Sequence, residues 1–187
     1  MAILLAACEG RKEMADGLER IPVNVEDVAE DAGAFLEKIE IVPLETNDSI
    51  LFDTPSQIFY DKEADMYVLM SDMNVFTFTG DGKSIGSSVK KRGPGPDEYT
   101  LPMDIKFNHF LDGIDLLTPY GTIYTYSPTF ELLARRTFKP EFVLECMMPL
   151  DSFRYVFKYT SLWVDQEIGF VDLRTGDISI ANYDGMI

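Results

Sequence analysis

From Phe35 onward, apolar and polar residues alternate with a period of two, in short runs broken by Gly, Pro, Asn and Asp. A period of two puts successive side chains on opposite faces of a strand, and the breakers supply turns. Ile39, Ile41 and Pro43 alternate with Glu40, Val42 and Leu44, which predicts a leading strand that ends in LETND. Three similar stretches follow. In the first, 57–60 and 66–70 are predicted strands, and 74–79 pairs with 83–87 around Gly80-Asp81-Gly82. In the second, 104–107 and 114–118 are strands, and 122–127 turns at Pro128-Thr129 into 131–137. In the third, 142–147 and 154–159 are strands, and 169–173 turns at Thr175-Gly176 into 177–181.

The hairpins of the three stretches align as FTFTGDGKSI from Phe76, YTYSPTFELL from Tyr124 and FVDLRTGDIS from Phe170, 48 and 46 residues apart. A four-strand unit at that period suits a β-propeller blade. Such a sheet cannot bury both faces alone, so it stacks on its neighbours. Between the first and second units lies KKRGPGPDEY, Lys90 to Tyr99, which reads as the join between two copies.

The chain before Phe35 is different. Residues 2–7 are wholly apolar, Cys8 follows, and then the composition turns polar. Residues 9–34 read as a polar tether. Within it, Val25, Val28, Ala29 and Ala32 sit at helical spacing, with Asn24 as N-cap and Gly33 as stop, which predicts a short helix.

Composition adds three limits. With 187 residues and 46% hydrophobic positions, the chain is long enough for one domain with a sizeable core. Acids outnumber bases 32 to 16, for a net charge of −16, and a surface that acidic repels phosphate backbones, so nucleic acid is not an expected partner. One histidine and two cysteines match no zinc pattern and no disulfide framework, and no metal or cofactor is expected.

Two resemblances sharpen this. Leu5-Ala6-Ala7-Cys8 resembles the lipobox of a bacterial lipoprotein signal, which implies cleavage before Cys8 and lipid on that cysteine. IEIVPLET from Ile39, MYVLM, FTFTGDGKSIG and KKRGPGPDEYTLPMDIKF together resemble the six-bladed β-propeller lipoproteins of Bacteroidota. The chain departs from that pattern by carrying Pro96-Asp97 before Glu98-Tyr99. This resemblance implies a fold and a cell-envelope location, in the outer membrane or periplasm. It implies no activity. It also implies that the leading strand completes a last blade and locks a ring. Three units plus one strand therefore suggest a piece of a longer propeller, with apolar faces exposed on the first and third blades and a tendency to self-associate.

The candidate residues are weighed on their chemistry. Gly93-Pro94-Gly95-Pro96 lacks the free N–H groups and the following helix that a phosphate cradle needs, so Arg92, Gly93, Gly95, Glu98 and Tyr99 are read as a structural loop. In it Glu98 is expected to pair with Arg92, and Tyr99 to pack on the blade. His109, in NHFLDG, reads as a surface turn residue, and one histidine alone makes neither a triad nor a metal site. Trp163, in TSLWVDQ, could stack on a sugar or peptide or cap the core. His109 and Trp163 are the candidate ligand contacts. Asp61, Asp65, Asp81 and Asp112 read as turn residues. Cys146, in the apolar run ECMMPL, reads as a buried thiol.

The expected fold is all-β: a partial β-propeller of three four-stranded blades plus an N-terminal strand, open rather than closed. Residues 1–8 are the end of a signal, 9–34 the tether and 35–187 the propeller. The expected function is a lipid-anchored binding or interaction module for a small molecule, glycan or protein, held to the membrane only through lipid. The alternatives are a glycan-active hydrolase or lyase and an inactive gene fragment. No nucleophile–base spacing marks an enzyme.

Overall fold

The computed structural model describes residues 39–47, 50–161 and 164–181, with backbone alone for 161, 164–167 and 181. Cys8, the tether, its short helix and Trp163 lie outside the described residues. The described chain folds as three four-stranded antiparallel sheets that do not close on themselves, with no α-helix among the described residues. Blade 1 is β1 (Gln57–Asp61), β2 (Met66–Ser71), β3 (Asn74–Thr79) and β4 (Ser84–Ser87). Blade 2 is β5 (Asp104–Asn108), β6 (Gly113–Leu117), β7 (Thr122–Tyr126) and β8 (Leu132–Thr137). Blade 3 is β9 (Val143–Pro149), β10 (Arg154–Ser161), β11 (Val164–Asp172) and β12 (Asp177–Ala181). Within each blade the strands lie in chain order. This is an open, partial propeller of three blades.

The turns follow from short side chains that satisfy backbone donors. Asp61 Oδ1 accepts from the Glu63 and Ala64 N–H groups, and Asp151 Oδ1 accepts from those of Phe153 and Arg154. Asp65 and Asp112 close equivalent turns with φ of 49° and 50°, in the left-handed region that Asp tolerates. Asp81 Oδ1 accepts from the Thr79 hydroxyl, and its carboxylate pairs with Lys83 at 2.9 Å. The hydrogen bond from Thr79 and the one from Lys83 hold its carboxyl at about 2.

Antiparallel strands give the stack two ends. The β2–β3 turn at Asp72-Met73, the β6–β7 turn at 118–121 and the connections between blades share one, here called the joining end. The β1–β2, β3–β4 and β5–β6 turns share the other, the far end. The two are separated by the length of an inner strand, roughly 16 Å for five residues.

Blade 2 is covered on both faces. Toward blade 1, Ile105, Phe107, Ile114, Leu116, Tyr124 and Tyr126 pack with Met66, Val68, Met70 and Val75. Toward blade 3, Leu117, Ile123 and Phe138 pack with Leu144, Met147, Tyr155 and Phe157. The β6 strand, GIDLL, is buried at every position. Inner strands are tied by polar contacts as well. Gln57 Nε2 donates to the Met103 carbonyl at 3.1 Å, and its Oε1 accepts from Ile105 N at 3.2 Å. Asp104 Oδ2 accepts from Met147 N at 2.8 Å.

The blade 2 face toward blade 3 also buries a carboxylate. Asp115 accepts from the Thr125 hydroxyl (2.6 Å), Asn108 Nδ2 (2.7 Å) and the Tyr155 hydroxyl (2.8 Å). Arg136 Nη1 donates to the same Tyr155 oxygen at 3.1 Å. Burial pushes the Asp115 carboxyl up, and the three hydrogen bonds oppose that shift in part.

Three expectations need correction. The leading strand over 39–44 does not form: no ladder pairs it, and Ile41 is 89% exposed. Alternation marks two different faces, but a strand also needs a hydrogen-bonded neighbour. Instead Glu45 N donates to the Gly82 carbonyl at 2.8 Å, and the Glu45 carboxylate accepts from Ser84 N at 2.9 Å. Second, the free face of blade 1 is covered over β2 and β3, while Ile58 and Tyr60 of β1 stay exposed on it. Ile50 packs with Leu69, Phe76 and Phe78, joined by Leu44 and Phe52, and the Phe52 ring lies 5.5 Å from Phe76 and 5.9 Å from Phe78. The matching face of blade 3 does leave Met148 and Phe170 exposed. Third, Cys146 is a half-buried free thiol rather than a buried one. A bulge opposite Lys158 and Tyr159 leaves Glu145 without a partner in the strand register, so Leu144 and Met147 both face the core and Cys146 sits opposite Lys158.

The Asp115 network sets a pH dependence. A carboxyl with a raised folded pKa binds its proton more readily in the folded state than in the unfolded one. Its contribution is therefore full below the ordinary carboxyl range and is lost as pH rises through the raised value. Relative to Asp115→Asn, which cannot titrate, the native chain should gain stability as pH falls toward that range. Urea unfolding of both chains across pH checks this, and a difference that moves the other way would contradict the buried charge.

Candidate functional site at the join of blades 1 and 2

After β4, Ser88 leads into a single 3-10 turn, Val89–Lys91, and the chain then folds back on itself through Gly93 and Pro94 to Tyr99. Arg92 and Tyr99 form an isolated parallel bridge, with Tyr99 N donating to the Lys91 carbonyl (2.9 Å) and Gly93 N to the Tyr99 carbonyl (3.0 Å). Pro94 and Pro96 bring no backbone donors to the loop.

Tyr99 is fully buried, and its ring sits edge-on to Tyr126 at 6.3 Å. Its hydroxyl donates to the Met73 carbonyl at 3.0 Å and accepts from the Ser88 hydroxyl. Ser88 Oγ in turn accepts from Val75 N at 2.7 Å. Tyr126, on β7, donates to the Asp97 carbonyl at 3.0 Å. Burial pushes both phenols up, so each stays protonated and able to donate. Blade 1, the loop and blade 2 are thus joined through two tyrosines.

Glu98 does not pair with Arg92, as the charge pattern suggests it should. Its Oε2 accepts from Gly95 N at 3.0 Å, and a Cβ on Gly93 would lie 2.0 Å from that same oxygen. Gly93 and Gly95 are not among the glycines with positive φ, so what they provide is room for the Glu98 carboxylate, not a left-handed backbone. Arg92 turns the other way. Its Nη1 donates to the Asp72 carbonyl at 3.2 Å, and its Nη2 reaches Met73 Sδ at 3.9 Å.

Between the loop and the β2–β3 turn lies a recess of about 410 Å3, lined by Asn74, Val89, Arg92, Gly93 and Thr100. Asn74 Nδ2 donates to the Asp72 carbonyl at 3.3 Å, while its Oδ1 is buried with no hydrogen-bond partner. A buried acceptor without a donor is costly. Nothing in the sequence singles out Asn74, because the recess is assembled from three separate segments.

His109 is elsewhere. It lies in the β5–β6 turn at the far end, where it links blade 2 to blade 1. Its Nε2 is 2.9 Å from Asp61 Oδ2 and its Nδ1 is 3.5 Å from Glu63 Oε2. Its ring packs 4.8 Å from Phe107. Both nitrogens face carboxylates, so neither is turned toward a ligand. The strand β5 separates it from the recess.

The blade topology agrees with a comparison against known families. A family model described as a six-bladed β-propeller matches residues 11–177. The chain belongs to this six-bladed β-propeller family. Among solved structures, a protein of Bacteroides fragilis described as exported matches this member of the family with a TM-score of 0.58 and 21% identity, over 75% of this chain and 40% of that one. The WD40 β-propeller domain of Doa1 matches with a TM-score of 0.47 and 15% identity, over 66% of this chain and 38% of that one. The chain therefore spans about 40% of the length of the solved structures it matches. No curated protein matches it.

The tyrosine clasp predicts an order of effects. Tyr99→Phe removes the hydroxyl from the Met73 carbonyl and from Ser88, and should cost about 1–3 kcal/mol. Arg92→Ala, at an exposed position, should cost under about 1 kcal/mol. Chemical denaturation of both variants checks the order, and an Arg92 change costlier than the Tyr99 change would refute it.

Proposed function

We propose that this propeller is a lipid-anchored module of the bacterial cell envelope that binds a ligand or partner at the joining end of its blades. The observation that carries this reading is the recess at the blade 1–blade 2 join. It combines a partly exposed wall (Val89, Thr100), a guanidinium held in place by a backbone carbonyl, and a buried acceptor without a donor. The recess is shallow and open, which suits a ligand or partner surface held by a few polar groups set in a rigid frame rather than one enclosed by the chain. The frame here is stiff because Tyr99 and Tyr126 fix the loop to both blades. The envelope location is supported by the likeness to a protein described as exported and by Cys8 following Leu5-Ala6-Ala7.

Two measurements test this. In a bacterium carrying the natural gene, the protein should partition into detergent, with a diacylglyceryl group on Cys8 by mass spectrometry. An unmodified Cys8 in a membrane-free fraction would remove the anchor from the proposal. For binding, a panel of glycans and peptides screened against the chain should yield ligands whose binding is lost in Thr100→Trp, which fills the recess. Ligands indifferent to Thr100→Trp would place binding elsewhere.

A further inference from the structure

We infer that the uncovered face of blade 3 docks a second copy of this chain, with the two identical faces packed about a two-fold axis. This is independent of the recess at the blade 1–blade 2 join.

Strand register defines the face. Tyr155, Phe157 and Tyr159 of β10 point into the core shared with blade 2, so Val156 points the other way. Met148 of β9 and Phe170 of β11 are its direct cross-strand partners and share that face. The three form one apolar row across the blade, with Met148 55% and Phe170 41% exposed.

Blade 2 shows what such a row does once covered. Asp115 is the third residue of β6, the place that Val156 holds in β10. Its cross-strand partners are Lys106 and Thr125, and it accepts the Tyr155 hydroxyl from blade 3. The row on blade 3 has no such acceptor. A sheet that presented a tyrosine hydroxyl to it would bury that group without a partner, which is costly. The row therefore fits another apolar row, and its own copy carries one.

Charge points the same way. A chain of net charge −16 repels its copies, so a contact between them needs a face whose charges are met locally. Along the blade, Lys158 pairs with Glu145 on one side of the row, and Arg154 with Asp151 and Arg174 with Asp172 on the other. Of the acids described with side chains in blade 3, Asp177 alone is outside these pairs.

Blade 1 decides between like faces and a head-to-tail contact. Its outer face is covered over β2 and β3 by Leu44, Ile50 and Phe52, which leaves Ile58 and Tyr60 of β1 in the open. Blade 3 of one copy cannot seat fully there, whereas two identical faces close on each other as a dimer. One face of four short strands is small for an interface, so the association is weak and concentration-dependent.

The test is sedimentation equilibrium of the full 187-residue chain over a concentration series, at low and high salt. A monomer–dimer equilibrium should appear, and it should tighten as salt screens the like charges. Phe170→Lys and Met148→Lys should each weaken it roughly tenfold or more. Ile41→Lys, at an exposed apolar residue outside the row, should leave it unchanged. Amide shifts on dilution should centre on Met148, Val156 and Phe170, and an unchanged amide fingerprint elsewhere shows that each variant is folded. Association that weakens with salt, a dimer that survives both row variants, equal loss in Ile41→Lys, or dilution shifts centred on Ile58 and Tyr60 would overturn the inference. So would a monomer at every concentration; one that also shields Phe170 from solvent would assign the face to a segment of the same chain outside the described residues.

Discussion

Everything in this structure depends on covering the two faces of each four-stranded sheet. An isolated blade of four strands would leave both apolar faces in water, and each buried large side chain is worth about 1.5–3 kcal/mol. Blade 2 solves this for the whole unit, since its strands β5, β6 and β7 pack on blade 1 with one face and on blade 3 with the other. Blade 1 has its second face closed from its own chain, by Leu44, Ile50 and Phe52. Apolar side chains stay in the open on the outer faces of both end blades, Ile58 on blade 1 and Met148 and Phe170 on blade 3.

The same stacking produces the site. Blades that pack face to face bring the turn of one beside the connection to the next. The polar groups that register them are few and buried: Asp104 on Met147 N, Asp115 beneath Tyr155, and Tyr99 on the Met73 carbonyl. A hydrogen bond buried in such a place adds modest net stability, but leaving it unmade is expensive, so these contacts fix the register of the blades more than they add strength. At the joining end this leaves a rigid loop with Arg92 held outward beside the half-buried Asn74. A recess can persist there because its walls are β3 of blade 1 and a loop that Tyr99 and Tyr126 tie to both blades.

Much of the fold was legible in the sequence, and the site was not. Three units and their turns could be read because period-two alternation and Gly, Pro and Asp breakers are local signals, and the strand ends shifted by only a few residues. The stretch 39–44 misled because alternation reports two environments without reporting a pairing partner; Leu44, Ile50 and Phe52 act as a cover for blade 1 instead. Cys146 misled because a single bulge changes which face a residue takes. Glu98 misled because the charge pattern suggested Arg92, while the free N–H of Gly95 was closer. Asp104 and Asp115 carried a usable signal, an acid inside an apolar strand run such as GIDLL, where burial demands a donor. Asn74 carried none, since its importance comes from Arg92 and Thr100 brought beside it by the fold.

The dependence on blade 2 is tested most directly by native-state hydrogen exchange of the whole chain. Amides of β6 and β7, buried between two blades, should exchange slowest and together, at the free energy of global unfolding. Those of β12, with a single neighbouring strand, should exchange first. Slowest exchange in β10 and β11 while β6 and β7 open freely would contradict the central place of blade 2.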